Sequence, residues 1–271
     1  MTIIEQVTIG KKNQSECEDG IIVNEHFAAV IDGSTSKVAA RIDPSISNGR
    51  FCMELIRQYV ADMSAYSSVV DFCSGVTDIV RSVYTVHDVD MQLLKEHPEQ
   101  RLTASVAVYS AYCRQVWMVG DCQCIVNDVF HDNPKPCETE IAAMRASMVE
   151  HLLADGVSPT EIQTSDLGRT HILDRLVATC KRQNVDYAVV DGFDIPIDKV
   201  KVVNVDSDND NDIVLASDGY PFVKGTLHES EEALVCQLRD DPLCIRSFKA
   251  TKGLMLGNVS FDDRCYLRFR P

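Results

Sequence analysis

Strand signals that cluster together, helical patterns that arrive in pairs, and the lack of strict strand–helix alternation predict an α+β fold. Antiparallel sheets flanked by helices fit these signals better than a doubly wound parallel sheet. No Pro/Ser-rich linker and no internal repeat interrupts the 271 residues, so residues 1–271 read as one domain. At 45% hydrophobic and 25% charged content the chain matches globular averages and can bury a large core.

In chain order, Ile21–Val23 and Phe27–Ile31 read as strands, the second stopping at Asp32-Gly33 before the polar Ser34-Thr35-Ser36-Lys37. Arg50–Ser64 carries Phe51, Leu55, Ile56 and Val60 on one helical face, and Val69–Val86 carries Val70, Val76, Ile79 and Val83. The period then changes. β-Branched and aromatic runs at Ala104–Ser110, Gln115–Val119 and Cys122–Val129, with Gly120-Asp121 between the last two, predict a meander. Glu138–Ala154 and Ile172–Arg182 are helical patterns, with a helix-start signal between them at Ser158-Pro159-Thr160-Glu161. Strand signals return at Tyr187–Val190, Val200–Val205 and Ile213–Ala216, followed by a helix over Ser230–Arg239 and a strand over Arg264–Phe269.

Lys+Arg 26 against Asp+Glu 41 leaves a net charge of −15, which repels nucleic acid phosphates and anionic membrane surfaces. Neither nucleic acid nor membrane is expected as a partner. The eleven cysteines are odd in number and irregularly spaced, no secretory signal or membrane-length apolar run is evident, and a reducing cytoplasm fits best. Cys122 and Cys124 alternate with Gln123 in a strand-like run, so both point to one sheet face and read as buried thiols.

Acids recur at strand ends: Glu18-Asp19-Gly20, Val30-Ile31-Asp32-Gly33, Val214–Gly219 and Phe261-Asp262-Asp263. Taken singly, Asp-Gly after a strand is a turn signal. If the strand ends converge, however, these carboxylates repel one another unless divalent cations neutralise them, and an oxygen-only set favours Mg²⁺ or Mn²⁺.

In their order the segments resemble the metal-dependent type 2C protein phosphatases. Glu18-Asp19 resembles the family's early Glu-Asp step, Phe27–Gly33 its "FAVxDG" strand, and Val116–Asp121 its "xxNVGDS" hairpin. Ile213–Gly219 is similar to "LxLASDG" and Asp262–Leu267 to "DDxTxxV". The resemblance spans essentially the whole chain. It implies an αββα sandwich of two mainly antiparallel sheets flanked by helix pairs, with two Mg²⁺ or Mn²⁺ ions bridged by Asp32 and by a water or hydroxide. Asp218 and Asp262 would complete one ion's shell, and Glu18 with the carbonyl of Gly33 would serve the other. The implied activity is hydrolysis of phosphomonoesters, above all phosphoserine or phosphothreonine in proteins; a phosphatase fold kept as a weak or silent regulatory module is the alternative.

The chain departs from the family pattern at three places. Ser34-Thr35-Ser36 follows the first Asp-Gly where a histidine is common, Gln14 stands where the family has its phosphate-binding arginine, and Tyr220-Pro221-Phe222 replaces a nearby aspartate. Asp121 alone would make a weak third site. Lys11, Lys12 or Lys37 could hold phosphate in place of the arginine, Lys37 being the first choice and Lys12 the second, each as a point charge rather than a two-pronged donor. The acid-rich 206–212 segment lacks the glycine and the glutamate of a calcium loop and reads as a solvated turn.

Overall fold

The computed structural model describes residues 1–207 and 210–271, so part of the acid-rich 206–212 turn lies outside the described residues. The elements run β1 (Thr2–Ile9), β2 (Asp19–Val23), β3 (Phe27–Gly33), α1 (Asn48–Asp62), α2 (Val69–Val86), α3 (Met91–Glu96), β4 (Ala104–Ser110), β5 (Gln115–Val119), β6 (Gln123–Val126) and β7 (Val129–His131). They continue with α4 (Glu138–Ala154), α5 (Pro159–Ser165), α6 (Leu167–Cys180), β8 (Lys201–Asn204), β9 (Ile213–Ala216), α7 (Leu227–Asp240) and β10 (Arg264–Arg270).

Two five-stranded sheets result, in the orders β2-β3-β4-β5-β8 and β1-β10-β9-β6-β7, and the pairings within both are antiparallel. Alternation along the strands builds the layers. Phe27, Ala29 and Ile31 face α1 and α2, meeting Ile56, Val60, Val76 and Val80, whereas Ala28 and Val30 face the other sheet and meet Leu215, Cys265 and Leu267. Cys122 and Cys124 both lie in that inter-sheet layer, as their spacing predicts. The far face of the second sheet is covered by α7 and neighbouring loops through Tyr220, Leu234, Cys244 and Phe261. The layers are therefore helix, sheet, sheet, helix. The flanks are unequal: α4 packs on α6 through Ile141, Ile172 and Leu176, and on Leu243 and Ile245, beside the sandwich.

Local chemistry explains the ends. Ser47 caps α1 by accepting from the Arg50 N–H, and Ser68/Asp71 and Ser158/Glu161 form reciprocal capping boxes at α2 and α5. Trp117 is wholly buried against Phe27 and Phe72, with ring centroids 6.4 and 5.9 Å away, and truncating such a residue costs about 3–5 kcal/mol.

Four elements differ from the sequence-based expectation, one of them the short helix α3, which the sequence pattern did not single out. The Cys122–Val129 run breaks into a hairpin because Asn127 and Asp128 both adopt positive φ, 50° and 66°, the geometry of a two-residue turn between twisted strands. Tyr187–Val190 forms no strand and contributes two isolated bridges, from Val190 to Ala104 and from Tyr187 to Gln183. β1, which the sequence pattern did not single out, pairs with β10 from Thr2 to Ile9.

Candidate metal centre

Acids gather at one end of the sandwich because β3 and β9 end there while β2 and β10 begin there. Asp32 stands in register between Asp19 of β2 and Ser105 of β4, and residues directly opposite one another in an antiparallel ladder share a face. Gly120 follows β5 at φ +88°, and a Cβ there would collide with the Ser105 hydroxyl. Only glycine allows this approach, which lets Ser105 Oγ donate to Asp121 Oδ1 at 2.5 Å. In the second sheet, Ser217 locks the β9 end to β10 by accepting from the Cys265 N–H at 2.9 Å, and Asp218 follows directly.

Asp32, Asp121 and Asp218 each present a carboxylate oxygen, all within 4.8 Å of one another. Burial, then the charges of Asp218, Asp19 and Asp121, hold Asp32 well above the usual carboxylate range. Burial, then Asp121 and Asp262, push Asp218 up to about 7. Asp19 is raised by burial first, and its Oδ2 has no hydrogen-bond partner among the described residues. Asp121 behaves oppositely: burial opposes its charge, but Lys135 Nζ, 2.6 Å from Oδ2, holds it below the usual value.

A cavity of about 110 Å³ lies over Asp32 and Asp218, walled by Lys37, Lys135, Arg169 and Lys252. Lys135 pairs with Asp121, and Lys252 with Asp262. Lys37 and Arg169 pair with no carboxylate among the described residues: Lys37 Nζ reaches Ser34 Oγ at 3.4 Å, and Arg169 Nη1 donates to the Thr251 carbonyl at 2.9 Å. Burial, with the like charges of Lys135, Arg169 and Lys252, draws Lys37 below the ordinary lysine value.

Of the remaining candidates, Gly33 and Asp262 also line the cavity, and Glu18 and Lys12 do not. Glu18 accepts from Thr35 Oγ1 and Ser47 Oγ, both at 2.6 Å. Asp262 is held between Lys11, at 3.3 Å, and Lys252. These two cations hold it below its usual range even though burial acts the other way. Gly33 is wedged between the backbones of Glu18 and Gly49, where any side chain would clash. Lys12 is exposed and does not line the cavity, whereas its neighbour Lys11 turns inward. Gln14 is taken up locally, accepting from the Gly10 N–H and donating to the Thr8 carbonyl.

The three-carboxylate group fits a hard divalent cation. Its donors are all oxygen, the half-buried Asp32 and Asp218 are crowded by like charge, and neither has a hydrogen-bond donor of its own among the described residues. Lys135, Arg169 and Lys252 are the cations that the sequence does not place here. Lys135 carries a local signal, lying between Pro134 and Pro136 in a rigid link; the other two converge only through the tertiary fold.

No protein-family profile and no curated protein matches the chain. Among solved structures it is similar to the serine/threonine phosphatase PstP/Ppp of Mycobacterium tuberculosis, with 11% identity and a TM-score of 0.47 over 99% of this chain and 98% of that one. It is similar to a serine/threonine phosphatase of Staphylococcus aureus, with 13% identity and a TM-score of 0.47 over 100% and 96% of the two chains. It is also similar to PppA, a regulatory component of the T6SS in Pseudomonas aeruginosa, with 15% identity and a TM-score of 0.46 over 100% of both. Likenesses this distant bear on neither the chemistry nor the substrate of this chain.

Proposed function

We propose that the chain is a metal-dependent phosphomonoester hydrolase of the type 2C protein phosphatase kind, acting on phosphoserine or phosphothreonine in proteins. The supporting observation is a juxtaposition: of three converging carboxylates from both sheets, Asp32 and Asp218 line a cavity whose walls also hold two cations, Lys37 and Arg169, that pair with no carboxylate among the described residues. Both cations are half-buried, a positive charge drawn even partly out of water gains from an anionic partner, and a phosphoryl dianion would supply one. Asp32, Asp121 and Asp218 would hold the metal. When bound, a divalent ion of this kind supplies Lewis acidity to phosphoryl oxygens and to the attacking water.

Lys37 and Arg169 orient the non-reacting phosphoryl oxygens, the guanidinium being able to bind two at once. An open groove of about 350 Å³ shares Thr35, Arg169 and Lys252 with the cavity and gives the leaving side chain a place to lie. No histidine lines the cavity, so no side chain of ordinary neutral pKa stands ready to protonate the leaving group.

One observation favours the second reading, a weak or silent module: lysines neutralise Asp262, which the family resemblance makes a metal ligand. Phosphate release from an aryl phosphate and from phosphopeptides, with and without Mn²⁺, separates the two. Release that requires Mn²⁺ supports the hydrolase; release in EDTA at the same rate would overturn it, and no release on any substrate favours the module.

A further inference from the structure

We infer that the centre takes one exchangeable divalent ion, at Asp32, Asp121 and Asp218, and that the ammonium of Lys11 provides the positive charge that a second ion would bring to Glu18 and Asp262. This rests on the metal reading above.

Lys11 Nζ lies among oxygens from three separate segments: Asp263 Oδ2 at 3.1 Å, Thr35 Oγ1 at 3.1 Å, Asp262 Oδ1 at 3.3 Å and Glu18 Oε2 at 3.8 Å. Its position is built from both sides of its own peptide. The Lys11 N–H donates to Asp263 Oδ1 at 2.7 Å, and the Lys11 carbonyl accepts from the Val259 N–H at 2.9 Å. Swinging the side chain out would leave Asp263 with a buried charge met only by backbone N–H groups.

Glu18 needs no second ion to satisfy it, since each of its carboxylate oxygens takes a hydroxyl hydrogen, and Thr35 relays the ammonium to it by accepting from Lys11 and donating to Glu18. Asp262 likewise takes Lys11 on one oxygen and Lys252 on the other. A dication among the same oxygens would face an ammonium at contact distance, a strongly repulsive arrangement. Three cations, Lys11, Lys252 and Lys135, face the four acids Glu18, Asp262, Asp263 and Asp121, whereas Asp19, Asp32, Asp218 and Glu138 have no cation at ion-pair distance among the described residues.

Counting Mn²⁺ on the full-length chain tests the inference by native mass spectrometry, by equilibrium dialysis and by the EPR line shape. One tight Mn²⁺ per chain with the six-line pattern of an isolated ion is expected, together with a second bound ion and an exchange-coupled signal in Lys11→Met. Two tight ions in the wild-type chain would overturn the inference whatever the variant does, leaving the hydrolase reading intact. So would a folded Lys11→Met that still takes only one. No tight Mn²⁺ on the wild-type chain would instead remove the metal reading itself, and the inference with it.

Discussion

Arg145, wholly shielded from solvent, donates to both carboxylate oxygens of Asp166, with Nη2 2.9 Å from Oδ2 and Nε 3.2 Å from Oδ1. The same guanidinium donates to the Leu243 and Ala250 carbonyls, and Asp166 also accepts from the Gly253 N–H. One ion pair thus ties α4 and the start of α6 to the loop carrying Thr251 and Lys252. Breaking a buried pair by removing one partner costs about 3–5 kcal/mol, so Arg145→Met should lower Tm by roughly 10 °C. An unchanged melting temperature by scanning calorimetry would show the loop is held otherwise.

Asp32→Asn and Asp218→Asn each delete the charge of a proposed metal ligand at constant volume. Turnover should fall ~10³-fold or more in both, since metal assistance contributes several kcal/mol to phosphoryl transfer. The metal-free variants should melt slightly higher than the parent because a like-charge contact is gone. Undiminished turnover in both purified proteins would place the metal elsewhere.

Much of this centre was legible in the sequence because a strand end is a local feature. The apolar runs before Asp32 and Asp218 and after Asp262-Asp263 are short, dense and β-branched, and they mark where the sheets stop. Asp121 was undervalued for a three-dimensional reason: only the close approach of Gly120 to Ser105 turns its carboxylate to the other acids. The choice between Lys11 and Lys12 was not legible either. They are adjacent, and a tertiary bond to Asp263, far along the chain, decides which one faces inward. β1 escaped notice because it is an edge strand with much of its surface exposed, which dilutes the alternation that identifies buried strands.

The metal-free protein should lose stability as pH rises from about 4 to 7. Asp218 titrates at about 7 when folded, above its ordinary value near 4, and Asp32 is raised as well. Between these limits the folded chain binds more protons than the unfolded one, so ionisation favours unfolding. Asp121 and Asp262, held below their usual values, act with the opposite sign and withdraw stability only on acidification below about 4. Added Mn²⁺ should rescue most at high pH, because its ligands must be deprotonated to bind. Differential scanning fluorimetry in EDTA should find Tm higher near pH 5 than near pH 8, with the gap narrowed by Mn²⁺. A Tm that rises across that range in EDTA would contradict the raised carboxylates.

Lys37 is the side chain on which phosphate orientation should depend most. It follows Asp32 by five residues in the polar segment leaving β3, and it lines the cavity above the acids without a carboxylate of its own. Burial already weakens its hold on the proton, so an incoming phosphoryl group both gains a donor and relieves an unpaired charge. Met keeps the stem and removes the charge; Lys37→Met should therefore lower kcat/KM about tenfold or more, the loss of an interaction worth ~1.4 kcal/mol. Arg169→Met should do at least as much, since a guanidinium can grip two oxygens. Lys12→Met is the control, because Lys12 is exposed and outside the cavity wall. Because metal affinity and phosphate binding are separate steps, Mn²⁺ binding should be unchanged in the Lys37 variant while inhibition by free phosphate weakens. If kcat/KM and phosphate inhibition both survive in the Lys37, Arg169 and double variants, the metal and backbone N–H groups orient the phosphoryl group alone and the cationic wall serves only to balance the acids.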